Sequence, residues 1–348
     1  MSGQRSQQQR EVVVVKRITF FTALTVVMSS LVGLGSIEAR AQENKWNVPL
    51  IWNPPHHVRT AQDSMVKRIA ERTKGKVNIS LHQYGELGLV DSDVLSIVRT
   101  AQVPVAELDH SKTAGDEPLF QIFNLPGLAF SIEDAMTIAK ATEELRRKAL
   151  DERDALEIGL AHFNPPQGIF TKQPVKTVAD LKDLRIRVYS GVLQRSFELL
   201  GARPQLIPWG DTPAALLQGV VQGAITSPSS GISAGFADTT KYMTTMPLSN
   251  RISWIMNKKT WASLSPDNQK ILREEFDQTA KAIQANWNSE ESGVADLVSK
   301  AKMTYVAPSK EFQAAVTKLL RPVWEEWAAK TKYGPEALKL SLAALGRS

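Results

Sequence analysis

The 348-residue chain contains no cysteine. Disulfides, thiolate metal sites, cysteine nucleophiles and a lipid anchor on an amino-terminal cysteine are thereby excluded. Histidine is also scarce, and the five present, His56, His57, His82, His110 and His162, show neither H-E-x-x-H spacing nor another helical pair suited to zinc. Neither a metal nor a cofactor is expected. His56 and His57 follow a first strand and read as surface loop residues. No G-x-S-x-G elbow surrounds any serine, and Ser227-Pro228-Ser229-Ser230-Gly231 reads as a turn with free hydroxyls. Glycine-rich phosphate loops are missing, and the scattered carboxylates offer no acid and base pair. An enzyme is therefore not expected.

The first 41 residues have the layout of a secretory signal. Arg5, Arg10, Lys16 and Arg17 precede an apolar stretch beginning at Ile18, and Ala39-Arg40-Ala41 forms an A-x-A cleavage site. Threonines and serines dilute that stretch, which argues against a retained anchor, and no later segment is apolar enough to span a bilayer. Export without a lipid attachment point places the expected mature protein free in the periplasm. Of 42 basic and 36 acidic residues, five and two leave with the signal, so 37 face 34 and the net charge is +3. That small balance excludes a nucleic-acid binder and is compatible with recruiting anions.

About 300 mature residues exceed one compact core, which predicts two domains. Val48–Trp52, Val77–Leu81 and Val103–Leu108 read as strands separated by helices from about Val58 to Thr73 and Asp91 to Thr100, the beginning of an α/β sheet. Glu133–Arg153 reads as one helix whose Glu143, Glu144, Arg146, Arg147 and Lys148 form a solvated face. Ser265-Pro266 is a helix start, with no proline or glycine until Gly293. Twenty-seven residues at 1.5 Å each make about 40 Å of helix, enough to buttress two lobes, with Trp287 as core.

The most informative stretch runs from Pro174 to Gly223. Thr177 and Asp180 open a short polar helix, Leu184, Ile186 and Val188 alternate as a strand, and a helix through Leu193, Phe197 and Leu200 stops at Gly201 before the next strand. Arg185 and Arg187 share one face of the first strand. Arg187 lies at its carboxyl end, where open α/β sheets bind small ligands, and is a candidate anion clamp.

The run Leu184–Val188, the tail Asp211–Gly223, the segment ERTKGKVNISLHQYGELG at Glu71–Gly88 and WASLSPDNQKILREE at Trp261–Glu275 resemble the substrate-binding proteins of TRAP transporters, in that family's order. The resemblance covers about residues 45 to 345. It implies an α/β, two-lobe periplasmic binding protein fold with a long helix spanning both lobes: lobe I from 44–165 plus 249–285, lobe II from 166–248 plus 286–348. It also implies a monomer that binds a small carboxylate and delivers it to the membrane subunits of a TRAP permease.

Matched residue by residue, Arg187 takes the place of the arginine that salt-bridges the ligand carboxylate. Trp209 falls on a position often occupied by phenylalanine against the ligand, and Thr226, beside Ser227, falls on a hydrogen-bonding asparagine. Asn53 and Asp109 match polar and acidic positions after the first and third strands. Gln167 is a departure, standing where many sugar-acid and dicarboxylate binders carry a second arginine; it can hydrogen-bond but brings no charge. An exported enzyme acting on an organic acid and a sensor partner remain as alternative readings.

Overall fold

The computed structural model describes residues 44–52, 54, 56–113 and 115–347. The expected signal segment and Asn53 lie outside the described residues. The apolar residues Val48 and Leu50 of β1 (Asn44–Leu50) are buried, and β1 pairs in parallel with β2 (Val77–Gln83) across the helix α1 (His57–Arg72). A 3₁₀ turn and the short α2 (Val94–Arg99) lead to β3 (Val105–Asp109). Rather than extending the β1–β2 ladder, β3 joins a second set of strands. The helices α3 (Ile132–Ala141) and α4 (Glu143–Asp151) precede β4 (Ala155–Glu157) and β5 (His162–Asn164), which pair with a later strand described below.

Chain then builds a six-stranded sheet. Its elements are β6 (Gly168–Thr171), β7 (Arg185–Val188), α5 (Gly191–Leu199), β8 (Arg203–Leu206), α6 (Thr212–Leu217), β9 (Gly223–Thr226), α7 (Pro228–Ser233) and β10 (Tyr242–Thr245). The strand–helix–strand around Arg187 forms as its caps dictate. Thr177 and Asp180 make a reciprocal capping box, and Gly201 takes φ +84°, a left-handed conformation that lets the chain leave α5 and start β8. β7 lies between β8 and β9 and runs parallel to both.

The fully buried β11 (Asn250–Asn257) returns to the set of strands that holds β3, pairing antiparallel with β3, β4 and β5. Two of the chain's crossings between the sheets, at 164–168 and 245–250, are bonded side by side. Gln167 N–H donates to Leu248 O at 2.9 Å, Met246 N–H to Gln167 O at 2.7 Å, and Ser249 Oγ to Asn164 O at 2.8 Å. After the short α8 (Lys258–Ser263) comes α9 (Pro266–Ser292), 27 residues long, whose Ser265 cap accepts from Asn268 N.

Near its start α9 is tied to α1 by Arg68 and Arg72 on the buried Glu275, at 2.6 and 2.8 Å. Near its end Glu290 accepts from Ser229 N of α7 at 3.1 Å. The long helix therefore reaches from one sheet's helices to the other's. It ends at Gly293, and α10 (Val294–Lys300) restarts instead of continuing it.

β12 (Thr304–Val306) completes the six-stranded order β12-β10-β6-β9-β7-β8. The last two helices are α11 (Lys310–Lys330) and α12 (Gly334–Ala344). Of the segment expected to accompany lobe II, β12 is in that sheet, whereas α12 packs on α3.

Two expectations for Glu133–Arg153 are corrected. The helix breaks at Thr142, whose hydroxyl bonds back to Ile138 O at 2.8 Å, and α4 starts anew. Nor is Arg146 on a solvated face: it is 3% exposed, donates to Ala139 O at 2.7 Å, and lies 3.5 Å from Glu157. Glu157 is also gripped by Arg251 through two bonds, at 2.5 and 2.9 Å. Burial alone would raise its pKa, but Arg251 and Arg146 hold the carboxyl well below the usual range.

Candidate ligand-binding site

A cavity of about 610 Å³ opens where the chain leaves β1 and faces the six-stranded sheet. Ile51, Trp52 and His56 form one wall; Trp209, Thr226 and the serines of α7, Ser229, Ser230 and Ser233, form the other. Both walls sit at carboxyl ends of strands, β1 on one side and β9 on the other, because each strand there hands over to a helix and leaves a crevice.

Behind Trp209 lies Arg187, 3% exposed. β7 and its neighbours fix the side chain: Nε donates to Ile207 O at 2.9 Å and Nη1 to Ile225 O at 3.3 Å. The guanidinium carbon is 5.6 Å from the ring centres of both Tyr189 and Trp209. Among the described residues no carboxylate pairs with Arg187, and its Nη2 makes no hydrogen bond to the protein. Burial lowers its pKa from the ordinary arginine value. Every other buried arginine here has a different arrangement, since Arg146 and Arg251 share Glu157. Arg185, two residues before Arg187 on the same strand, is exposed and bonds Gly219 O at 3.0 Å.

Trp209 opens a 3₁₀ turn after Pro208 and is 45% exposed, an uncommon state for an indole. Thr226 ends β9 opposite Gly168. Ser227 caps α7 and its hydroxyl donates to Ser230 Oγ at 2.6 Å. Gln167 is buried on the crossing strand, and its side-chain amide makes no hydrogen bond to another described residue. Asp109 is taken up locally: its Oδ1 accepts from Ser111 N, Ser111 Oγ and Asn250 Nδ2 at 2.9, 2.7 and 2.7 Å. It acts as a cap there. Trp209 and Thr226 line the cavity, while Arg187, Gln167, Ser227 and Asp109 stand outside its immediate lining.

Sequence reasoning passed over the opposite wall. His56 and His57 are not surface loop residues but half-buried members of an aromatic cluster. Trp52 stacks on His56 with ring centres 4.4 Å apart and 25° between planes, and Trp287 of α9 meets His57 edge-on at 4.4 Å. His56 Nδ1 caps α1 by accepting from Val58 N at 3.2 Å, so that nitrogen is deprotonated and Nε2 carries the hydrogen. Burial, aided by His57, lowers the His56 pKa to about 4. Beneath this wall the buried Glu107 accepts from Ile51 N at 2.8 Å and Gln62 Nε2 at 2.6 Å, and burial raises its pKa to about 7. An acid within the apolar run Val105–Leu108 was the available signal for Glu107.

α7 can approach the sheet this closely because Gly231 has no side chain. A Cβ there would lie 2.5 Å from the Phe170 ring. Among the described residues no group of three His, Asp or Glu side chains is placed to hold a metal ion.

A family model for bacterial extracellular solute-binding proteins, family 7, also called DctP, matches residues 51–331. The chain belongs to this family. A solute-binding protein of Chromohalobacter salexigens is 24% identical to this family 7 protein over 300 residues, covering 84% of this chain and 87% of its relative. The C4-dicarboxylate-binding periplasmic protein DctP of Vibrio cholerae is 24% identical over 338 residues, covering 93% and 99%. Among solved structures, DctP6 of Bordetella pertussis, a solute receptor binding pyroglutamic acid, superposes with a TM-score of 0.77 at 22% identity, covering 87% of this family 7 chain and all of the other. The two-lobe fold with its long α9 is the fold of TRAP solute receptors, whose task is to bind small molecules for membrane permease subunits.

Proposed function

We propose that this protein captures a small organic acid between its two lobes and delivers it to a TRAP permease. One observation carries the reading: Arg187 is a buried guanidinium that pairs with no carboxylate among the described residues. An uncompensated buried charge is costly, and a bound carboxylate removes that cost by supplying the missing anion and accepting the free N–H groups. Arginine suits this role better than lysine, because its planar fork matches a carboxylate. Trp209 packs on the ligand's apolar part, while Thr226, Ser227, Gln167, Asn53 and Asp109 are the candidates for sorting its polar groups. Closure is favoured because the ligand meets both walls only when they approach. The carboxylate-type names of two relatives, pyroglutamic acid and C4-dicarboxylate binders, support the same ligand class.

In this reading lobe I is 44–165 plus 249–285 and lobe II is 166–248 plus 286–348, supported for 166–248 by its six-stranded sheet. The protein works as a periplasmic monomer after loss of residues 1–41, and it performs no covalent chemistry. Calorimetry with an acid found in a carboxylate screen tests the proposal. Arg187→Met is expected to weaken binding by roughly a hundredfold to several-thousandfold, the worth of about 3–5 kcal/mol for one partner of a buried ion pair. Unchanged affinity in the folded variant would overturn it.

A further inference from the structure

We propose that the acid is a planar aromatic monocarboxylate. This rests on carboxylate capture by Arg187 and narrows it.

Charge is the first argument. No lysine or arginine is among the described residues that line the cavity, and the cation that backs it is Arg187, against Trp209. Gln167 stands at the crossing strand with an uncharged amide. His56 adds no positive charge, since its Nδ1 is occupied as an acceptor from Val58 N. A second carboxylate on the ligand would enter the cavity unpaired, with the desolvation cost of a lone buried anion. A monoanion satisfies the site.

Shape is the second. Each wall offers an indole: Trp52 from the end of β1 and the half-exposed Trp209 from the other lobe's sheet. Trp52 is held in place by its stack on His56 and a tilted contact with Trp287 at 5.9 Å. Such a face is rigid before the ligand arrives, so little side-chain freedom is lost on binding. Arg187 lies against Trp209, which places the carboxylate next to one edge of the slot. A flat ring carrying the carboxylate then slides between the indoles in offset or edge contact. An aliphatic diacid of similar volume leaves both indole faces poorly covered.

Polar groups line both walls of the slot. Thr226, Ser230 and Ser233 supply hydroxyls on the wall of Trp209, and His56 supplies Nε2–H on the wall of Trp52. These are neutral groups suited to a ring hydroxyl or carbonyl.

The test is calorimetry on the mature chain with benzoate, 4-hydroxybenzoate, cyclohexanecarboxylate, propionate and succinate as probes, for wild type, Trp209→Leu, Trp52→Leu and Arg187→Met. The expected order places the two aromatic acids first, cyclohexanecarboxylate about tenfold weaker, and propionate and succinate at least a hundredfold weaker. Trp209→Leu should weaken benzoate about three- to tenfold and cyclohexanecarboxylate less, which separates stacking from plain burial. Trp209 is exposed enough that its variant keeps the fold even if Trp52→Leu does not. Succinate or propionate binding as tightly as benzoate, lost in Arg187→Met, overturns the aromatic class while leaving carboxylate capture standing. Binding indifferent to Arg187→Met overturns both, and so does a failure of all five probes to bind.

Discussion

The indole N–H of Trp287 donates to Nδ1 of His162 across 3.3 Å, joining the long helix α9 to β5 in the interior. The bond requires a neutral imidazole with its lone pair on Nδ1. Burial, with His57, Arg251 and His56 nearby, lowers the His162 pKa to about 3. The folded value lies below the unfolded value of 6.5, so this stability is present above pH 6.5 and lost as pH falls toward 3. His56 follows the same sign toward pH 4. Glu107 has the opposite sign: raised to about 7, it contributes stability below pH 4.5 that is lost as pH rises through 7. The four histidines that burial holds neutral, His56, His57, His110 and His162, outweigh Glu107, Glu290 and Glu291, whose pKa burial raises. Melting temperature should therefore fall between pH 6 and pH 4. His162→Gln, which takes up no proton, should show a flatter acid limb in the same thermal melts, despite a lower melting temperature at pH 7.

Arg187→Met should separate binding from stability. Replacing an unpaired buried guanidinium by an apolar chain of similar length removes a desolvation cost, while two carbonyls lose their donors. The unliganded variant is expected within about 1 kcal/mol of wild type or above it. Urea titration checks this, and a loss of several kcal/mol would mean that Arg187 holds the lobe together rather than waiting for an anion.

Glu157→Gln should have the reverse character. Arg146 and Arg251 are both buried, and Glu157 is their shared counter-charge. Its neutralisation leaves two guanidinium groups facing each other and should cost about 3 kcal/mol in denaturant titration. Adding Arg146→Met to the Glu157→Gln variant should recover part of that loss, since only one cation then remains.

Gly231→Ala places a methyl carbon into the Phe170 ring, and overpacking of this kind costs about 1–3 kcal/mol. Phe170→Leu makes room on the other side. In a double-mutant cycle by thermal melts the two changes should cost less together than their sum.

How far the fold was legible follows from how local its determinants are. The units around Arg187 and at the start of α9 announce themselves through neighbours in sequence: Thr177 with Asp180, Gly201 at positive φ, Ser265 with Pro266. The burial of Arg146 depends instead on Arg251 and Glu157, which are 94 residues apart, and nothing in a run of helical charges reveals it. The same holds for the cavity wall. Trp52 and His56 look like loop residues until Trp287, more than two hundred positions later, comes to rest on them. Trp209 and Thr226 were legible from family resemblance; the serines of α7 were seen only as a turn, because their facing requires Gly231 against Phe170.

The crossings at 164–168 and 245–250 form a strap of two plies. Hydrogen bonds from Gln167 to Leu248 and from Met246 to Gln167 prevent one ply from sliding past the other, and Pro165, Pro166 and Pro247 stiffen its edges. A ribbon of this construction flexes about one transverse axis and resists torsion. In the proposed capture cycle these plies, with α9 as the third link between the sheets, favour a hinge over a twist.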